Sequence, residues 1–310
     1  MSEKSVVGID VSKEKANVCF LPGDERFEVK AKHYRRLVRQ LAERKPHLVV
    51  MEATGGYERP LFSLLSDAEL PVAVVNPRKV RDYARAIGLQ AKTDDLDAHL
   101  IARFAQAVGP ETHQYGGSES IELRELIARR RQLVSMRTSE QNRRQQTASK
   151  KVAKGIDKTI RTFNKLIAEL DDELDKHIKD SPDLSEKEEL LKSTPGVGDQ
   201  TARALIIELP ELGTLSRGKI CALAGVAPMN RDSGKWQGAH YIQGGRSMVR
   251  TALYMACITA IRRNPKIQVF YTRLRASGKK AKVALVACMR KLLIHLNSML
   301  RKRQKFTANA

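Results

Sequence analysis

Ser5-Val6-Val7-Gly8-Ile9-Asp10-Val11 is a short apolar run carrying one carboxylate near its end, and it reads as a buried strand. Asn17 to Leu21 and Phe27 to Ala31 continue as strands, with Pro22-Gly23-Asp24 as the turn between them. A helical stretch over 33–44 leads to His47-Leu48-Val49-Val50-Met51-Glu52, a second apolar strand that again ends on a carboxylate. A helix over 57–68 precedes Val72-Ala73-Val74-Val75, which Asn76-Pro77 closes. Three strands, then helix, strand, helix, strand and helix, make an α/β pattern with a mixed sheet.

The rest of the chain changes character. From Ser118 to Lys154 there is no Gly or Pro, and beyond Gly155 the apolar positions Ile156, Ile160, Phe163, Ile167, Leu170, Leu174 and Ile178 step by four and three. That spacing is a coiled-coil seam, so 119–180 is expected to form a long antiparallel helical hairpin bending near Gly155 and ending at Ser181-Pro182. Residues 190–305 read as short helices around a Gly-rich irregular stretch from Gly225 to Gly245, with an amphipathic last helix carrying Leu285, Met289, Leu292 and Leu296 on its core face. The fold class is therefore α/β plus all-α, in three regions expected at 1–112, 113–185 and 186–310.

The 310 residues carry 56 Lys and Arg against 35 Asp and Glu, a net charge of +21. The excess is local. Residues 1–110 hold 18 basic and 15 acidic residues, whereas 193–310 hold 21 and four. Residues 123–165 have 13 basic against three acidic, and 166–192 reverse the balance with four against ten. A cationic C-terminal lobe and a cationic hairpin segment fit phosphates, while the near-neutral first third keeps its carboxylates for chemistry. Cys19, Cys221, Cys257 and Cys288 are far apart with no C-x-x-C, which excludes a zinc finger and a disulfide scaffold and fits a reducing cytoplasm. No uncharged apolar run of membrane-spanning length and no signal peptide is read, so no membrane partner is expected.

Asp10 and Glu52 each end an apolar strand, where a carboxylate faces a cleft or needs a cation. Ala91-Lys92-Thr93-Asp94-Asp95-Leu96-Asp97-Ala98 opens a helix on which Asp94 and Asp97 share a face, while Asp95 points about 100° away from Asp94. Four convergent carboxylates suit two hard divalent ions, which about 4 Å apart hold the attacking and leaving oxygens of a phosphodiester exchange. Taken singly, Asp94 also reads as a first-turn acid favoured by the helix dipole, and Asp10 as a partner of Lys13 or Lys15.

In the C-terminal region, Thr194-Pro195-Gly196-Val197-Gly198-Asp199 precedes a helix. Glycines Gly196 and Gly198 let backbone N–H groups approach a phosphate, as in helix-hairpin-helix DNA binders, although a tight turn between helices uses the same residues. Ser233 lies beside Gly234 between Arg231 and Lys235, and Ser247 follows Gly244-Gly245-Arg246. Either serine has the exposed, cationic setting that a nucleophile attacking a phosphodiester requires. Nothing downstream reads as a base-specific code.

Gly8-Ile9-Asp10-Val11-Ser12-Lys13, Met51-Glu52-Ala53-Thr54-Gly55-Gly56-Tyr57, Val75-Asn76-Pro77 and Lys92-Thr93-Asp94-Asp95-Leu96-Asp97-Ala98 together resemble the DEDD transposases, the Piv-invertase-like insertion-sequence family of bridge-RNA-guided recombinases. The resemblance runs nearly end to end. It implies a RuvC-like, ribonuclease-H-type first domain whose Asp10, Glu52, Asp94 and Asp97 bind magnesium, followed by the hairpin and a mainly helical transposase domain. The family's Gly-x-x-Pro stretch leading to a catalytic Ser-Gly is matched by Gly225, Pro228, Ser233 and Gly234, which selects Ser233 as nucleophile. Arg231, Lys235, Arg246, Ser247 and Arg250 are then expected phosphate contacts. The resemblance further implies donor and target DNA, a non-coding bridge RNA, a composite active site, and homodimers that assemble into a tetramer in a bacterial cytoplasm, at the nucleoid. Other readings of the same residues are a RuvC-like junction endonuclease using water, an actin-like kinase opened by Gly-Ile-Asp, and a nucleic-acid scaffold with inactive carboxylates. The kinase lacks a second Asp-x-Gly phosphate loop and does not match the charge.

Overall fold

A computed structural model describes residues 5–89, 94–112, 118–229 and 241–307, without the side chains of 94–96 and 118–120. The chain forms two compact units, Met1–Glu122 and Leu123–Ala310. The first contains β1 (Val6–Val11), β2 (Lys15–Leu21), β3 (Glu25–Lys30), a 3-10 turn (Ala31–His33), α1 (Tyr34–Arg44), β4 (Leu48–Glu52), α2 (Arg59–Asp67), β5 (Val72–Val75), α3 (Pro77–Ala86) and α4 (Asp94–Val108). The strands form one sheet in the order β3-β2-β1-β4-β5. β2 runs antiparallel to β1 and β3, while β1, β4 and β5 are parallel. The three parallel strands are central or helix-covered on both faces, which is why they read as continuous apolar runs rather than alternating ones.

The period of two along β1 divides its side chains between two helical layers. Val7, Ile9 and Val11 pack with Leu37 and Leu41 of α1 and Leu61 and Leu65 of α2. Val6, with Leu48 and Val50 of β4, packs with Val80 of α3 and Ile101, Phe104 and Ala105 of α4. Gly8 falls on this second face. A Cβ there would stand 2.3 Å from the Ala98 carbonyl oxygen and 2.4 Å from the Ala102 nitrogen, so the backbone of α4 lies directly on β1. Cys19 of β2 fills the space beside Ala98 and Ala102, and burial pushes its thiol up to about 11. It is a packing residue.

The second unit begins within α5 (Ser118–Gln146) and continues with α6 (Lys150–Asp180), α7 (Pro182–Lys192), α8 (Asp199–Glu208), α9 (Arg217–Leu223), β6 (Pro228–Met229), β7 (Tyr241–Ile242), α10 (Ser247–Arg263), α11 (Pro265–Ala276) and α12 (Ala281–Lys302). α5 and α6 form the expected antiparallel hairpin, but the turn is at residues 147–149 and Gly155 sits inside α6. Ser149 explains the difference: it caps α6 by accepting from the Val152 N–H at 3.5 Å. A glycine in an exposed helix costs only about 1 kcal/mol against alanine, too little to end the helix without turn chemistry.

Along the seam, Ile167, Leu174 and Ile178 are buried and Ile156, Ile160, Phe163 and Leu170 half-buried. Three cross-helix polar pairs set the register: Arg130 Nε with Asp171 Oδ1 at 2.6 Å, Arg137 Nη1 with Asn164 Oδ1 at 3.0 Å, and Arg144 Nε with Asp157 Oδ1 at 2.9 Å. The arginines advance by one heptad as their partners retreat by one, which an antiparallel pair requires. The unit's main core brings Val249, Leu253, Ala256 and Ala260 of α10 against Met289, Leu292 and Leu296 of α12. By length and composition α12 could cross a membrane. Arg290 and Lys291 interrupt its apolar residues midway, so it is not the unbroken apolar run whose absence was expected. Here its apolar face, including Cys288 and Met299, is buried in the core.

Candidate active site

Asp10 and Glu52 are brought side by side by strand register. Ile9 of β1 pairs with Met51 of β4 in parallel, so the next position along sets Asp10 beside Glu52, on strands about 4.8 Å apart. Both share the face of Gly8 and Val50, toward α4, and both are half-buried. α4 lies across that face with its Phe104 and Ala105 over Val6 and its Ala98 over Gly8. Its N-terminal turn therefore runs toward the Asp10 end of β1. Asp97, half-buried, precedes Ala98 on that turn, and Asp94 is the first residue of the helix. Asp10, Glu52 and Asp97 thus lie toward one end of the sheet, on two strands and a helix, and Asp94 opens the same helix, its side chain outside the described residues. An all-oxygen, carboxylate donor set at a half-buried position fits a hard divalent cation.

The loop after Glu52 is braced by a residue that sequence reasoning did not single out. Glu58 Oε2 accepts N–H bonds from Thr54 at 3.0 Å and Gly56 at 2.9 Å. Ala53 N–H donates to the Val75 carbonyl at 3.0 Å, extending the sheet beyond Glu52. Gly55 and Gly56 both have positive φ, 70° and 112°, where a side chain would be strained. The signal was present as a Gly-Gly pair followed by a carboxylate at the start of a helix.

In the second unit, α7 and α8 are joined by residues 193–198, the expected helix-hairpin-helix outline. Gly196, at φ 100°, presses on α10: a Cβ would meet the Ala260 backbone at 2.8 Å. Its need for glycine is met by packing. Gly198, the exposed N-cap of α8, has open space around it, yet Asp199 in the first turn is paired with Lys192, which holds its carboxyl below the usual range.

A second glycine cluster shapes the loop before α10. Cβ atoms on Gly225 and Gly245 would each fall within about 2.3 Å of the other segment's backbone, so glycine is required at both positions, and the Arg246 N–H donates to the Leu223 carbonyl at 2.8 Å beside them. Arg246 clamps this contact: its Nη1 and Nη2 bind Glu211 Oε2 and Oε1, each at 2.6 Å, and Nη1 also donates to the Glu208 carbonyl at 2.9 Å. Arg250 Nη1 donates to the Gly244 carbonyl at 2.6 Å, and exposed Ser247 opens α10. Ser233, Arg231 and Lys235 lie outside the described residues.

With this geometry in view, residues 7–150 match a DEDD, IS110-type family model described as Transposase, and residues 188–272 match one described as Transposase IS116/IS110/IS902 family. The chain belongs to this transposase family. Its relatives include the pilin gene-inverting proteins of Moraxella bovis and Moraxella lacunata, each 29% identical with 98% of both chains covered. An insertion element IS116 protein of 44.8 kDa from Streptomyces clavuligerus is 29% identical over 43% of this chain and 34% of its own. The transposase is a DNA-rearranging enzyme, and its first unit is the RuvC-like α/β domain of the family. Family membership also implies the use of a divalent metal.

Proposed function

We propose that the transposase is a site-specific recombinase that moves an insertion sequence by serine-mediated strand exchange. The observation carrying this is the strand register that sets Asp10 beside Glu52 on the face crossed by the first turns of α4. Asp10, Glu52, Asp94 and Asp97 would hold magnesium, which when bound supplies positive charge to the phosphate oxygens. Ser233 Oγ attacks the phosphorus; a serine–phosphate ester forms as the sugar oxygen's bond to phosphorus breaks, and the serine's proton ends on the departing sugar oxygen. Rejoining reverses the exchange with a different sugar hydroxyl. Because one phosphodiester replaces another, no high-energy cofactor is needed.

Arg231, Lys235, Ser247 and Arg250 contact phosphates in this reading, and Gly198 admits one at the start of α8. Arg246 has a different task. Its pairing with Glu211 and the Glu208 carbonyl holds the start of α10 against the segment that follows α8. The three regions 1–112, 113–185 and 186–310 divide the labour: carboxylates, dimer contact through the hairpin, and serine loop. The serine loop of one protomer works with the carboxylates of another, in dimers that assemble into a tetramer. Sequence choice is delegated to a non-coding bridge RNA, consistent with a cationic surface that lacks a base-reading pattern.

The test is a denaturing gel of protein incubated with labelled donor DNA, magnesium and RNA transcribed from the non-coding DNA flanking the gene. Wild type is expected to leave a covalent protein–DNA adduct, and Ser233→Ala none. An adduct at normal yield in Ser233→Ala removes that serine from the mechanism. Cleaved DNA free of protein in wild type means that water is the nucleophile.

A further inference from the structure

Glu58 stands at the start of α2, yet its carboxyl does not cap that helix. A capping side chain takes the N–H of the second or third helical residue, and the second here is Pro60, which has none. The Glu58 side chain turns back into the preceding loop instead. Its Oε2 accepts from the Thr54 N–H at 3.0 Å and from the Gly56 N–H at 2.9 Å. Two donors fill the two lone pairs of that single oxygen.

What these bonds hold is the chain as it leaves Glu52. β4 ends at Glu52, opposite Val75 in the last pair of the β4–β5 ladder. Beyond that pair, the Ala53 N–H donates to the Val75 carbonyl at 3.0 Å, and the Thr54 hydroxyl donates to the Glu52 carbonyl at 3.2 Å. Positive φ at Gly55 and Gly56 bends the backbone so that the Thr54 and Gly56 N–H groups reach one oxygen. Residues 52, 53, 54 and 56 are each tied down. A strand end is where backbone order falls away, and a metal ligand carried there keeps its place only if the backbone beneath it is fixed.

The route from Glu58 to Glu52 is this backbone. α2 packs through Leu61 and Leu65 on the Val7–Ile9 face of the sheet, whereas Glu52 shares the opposite face with Val50. We propose that Glu58 is a positioning residue for the reaction: through the Thr54 and Gly56 N–H groups it fixes the end of β4 and so holds the Glu52 carboxylate in place for the metal. This rests on the reading of Glu52 as a metal ligand and adds the residue that keeps it there.

The experiment titrates magnesium by isothermal calorimetry into wild type, Glu58→Ala, Glu58→Gln, Glu52→Gln and Glu52→Gln/Glu58→Ala, each with its folded state checked by circular dichroism. Glu58→Ala should weaken magnesium about tenfold. Glu58→Gln keeps an oxygen that accepts both N–H bonds and should stay within about threefold of wild type. In the Glu52→Gln background, Glu58→Ala should cost little further, because the ligand it positions is already gone. Wild-type affinity in Glu58→Ala, with Glu52→Gln weakened, overturns the positioning role and leaves the carboxylate site standing. A loss in Glu58→Gln as large as in Glu58→Ala, or an undiminished further loss in the double variant, makes Glu58 a ligand in its own right and overturns it too. Wild-type affinity in Glu52→Gln removes the metal reading of that residue and the role of Glu58 with it. Hydrogen–deuterium exchange on wild type needs no variant: the Ala53, Thr54 and Gly56 amides should be protected, and exchange at the rate of an open loop overturns the brace.

Discussion

Gly8→Ala probes the contact on which the carboxylate cluster depends. The new methyl would sit 2.3 Å from the Ala98 carbonyl oxygen and 2.4 Å from the Ala102 nitrogen, both backbone atoms of α4 that no rotamer change can move. Comfortable contact needs about 3.5 Å, so α4 must lift by roughly 1 Å or β1 must bend. Overpacking of this kind costs about 1–3 kcal/mol. The functional cost is larger, because α4 carries Asp94 and Asp97 while β1 carries Asp10, and a 1 Å misplacement of a reacting constellation can lower a rate about a hundredfold. Recombination between donor and target plasmids, scored by quantitative PCR, should fall by about two orders of magnitude. Differential scanning calorimetry should show a lowered first-unit transition with the second unit's transition unchanged. Gly218→Ala, in α9 with open space around it, serves as the control. Wild-type recombination and melting in Gly8→Ala would refute the close approach of α4 to β1 and the cluster built on it.

Gly155→Ala should stabilise the second unit by about 1 kcal/mol, because the position is helical and open, and a raised melting temperature checks it. At Asp171, burial opposes ionisation, but hydrogen bonds from Arg130 and Gln200 outweigh it and lower the carboxyl from 3.8. Its contribution is then fully present above about pH 4 and lost as pH falls through the folded value. Asp171→Asn should cost about 1 kcal/mol at pH 7, with the difference from wild type closing in urea melts taken toward pH 2.

The α/β unit was legible because each strand is short, apolar and closed by a turn signal: the strands over 5–11, 17–21 and 27–31 and the Pro22-Gly23-Asp24 turn all fall within a residue or two of their place. Asp10 and Glu52 were readable as a pair because carboxylates ending buried strands are expensive anywhere but at a site. The hairpin's seam was legible from its period, its turn was not. Gly155 is the stronger local signal in the sequence, and Ser149 wins through a capping bond visible only in three dimensions. Arg246 shows the same limit. Beside two glycines and a serine it reads as a phosphate ligand, and nothing local reveals that Glu211, on a segment far upstream, takes both of its terminal nitrogens. Gly196 likewise reads as a backbone approach to an anion, and the neighbour it admits is Ala260 of α10. A strand neighbour can be read from the sequence, and a partner distant in the chain cannot.

Magnesium titration by isothermal calorimetry addresses the carboxylates most directly, on wild type and on Asp10→Asn, Glu52→Gln and Asp97→Asn, each with its folded state checked by circular dichroism. Wild type should release or absorb heat with saturation, and each amide variant, its fold intact, should bind at least tenfold more weakly. Equal heats for wild type and all three variants would mean that these side chains do not share a cation.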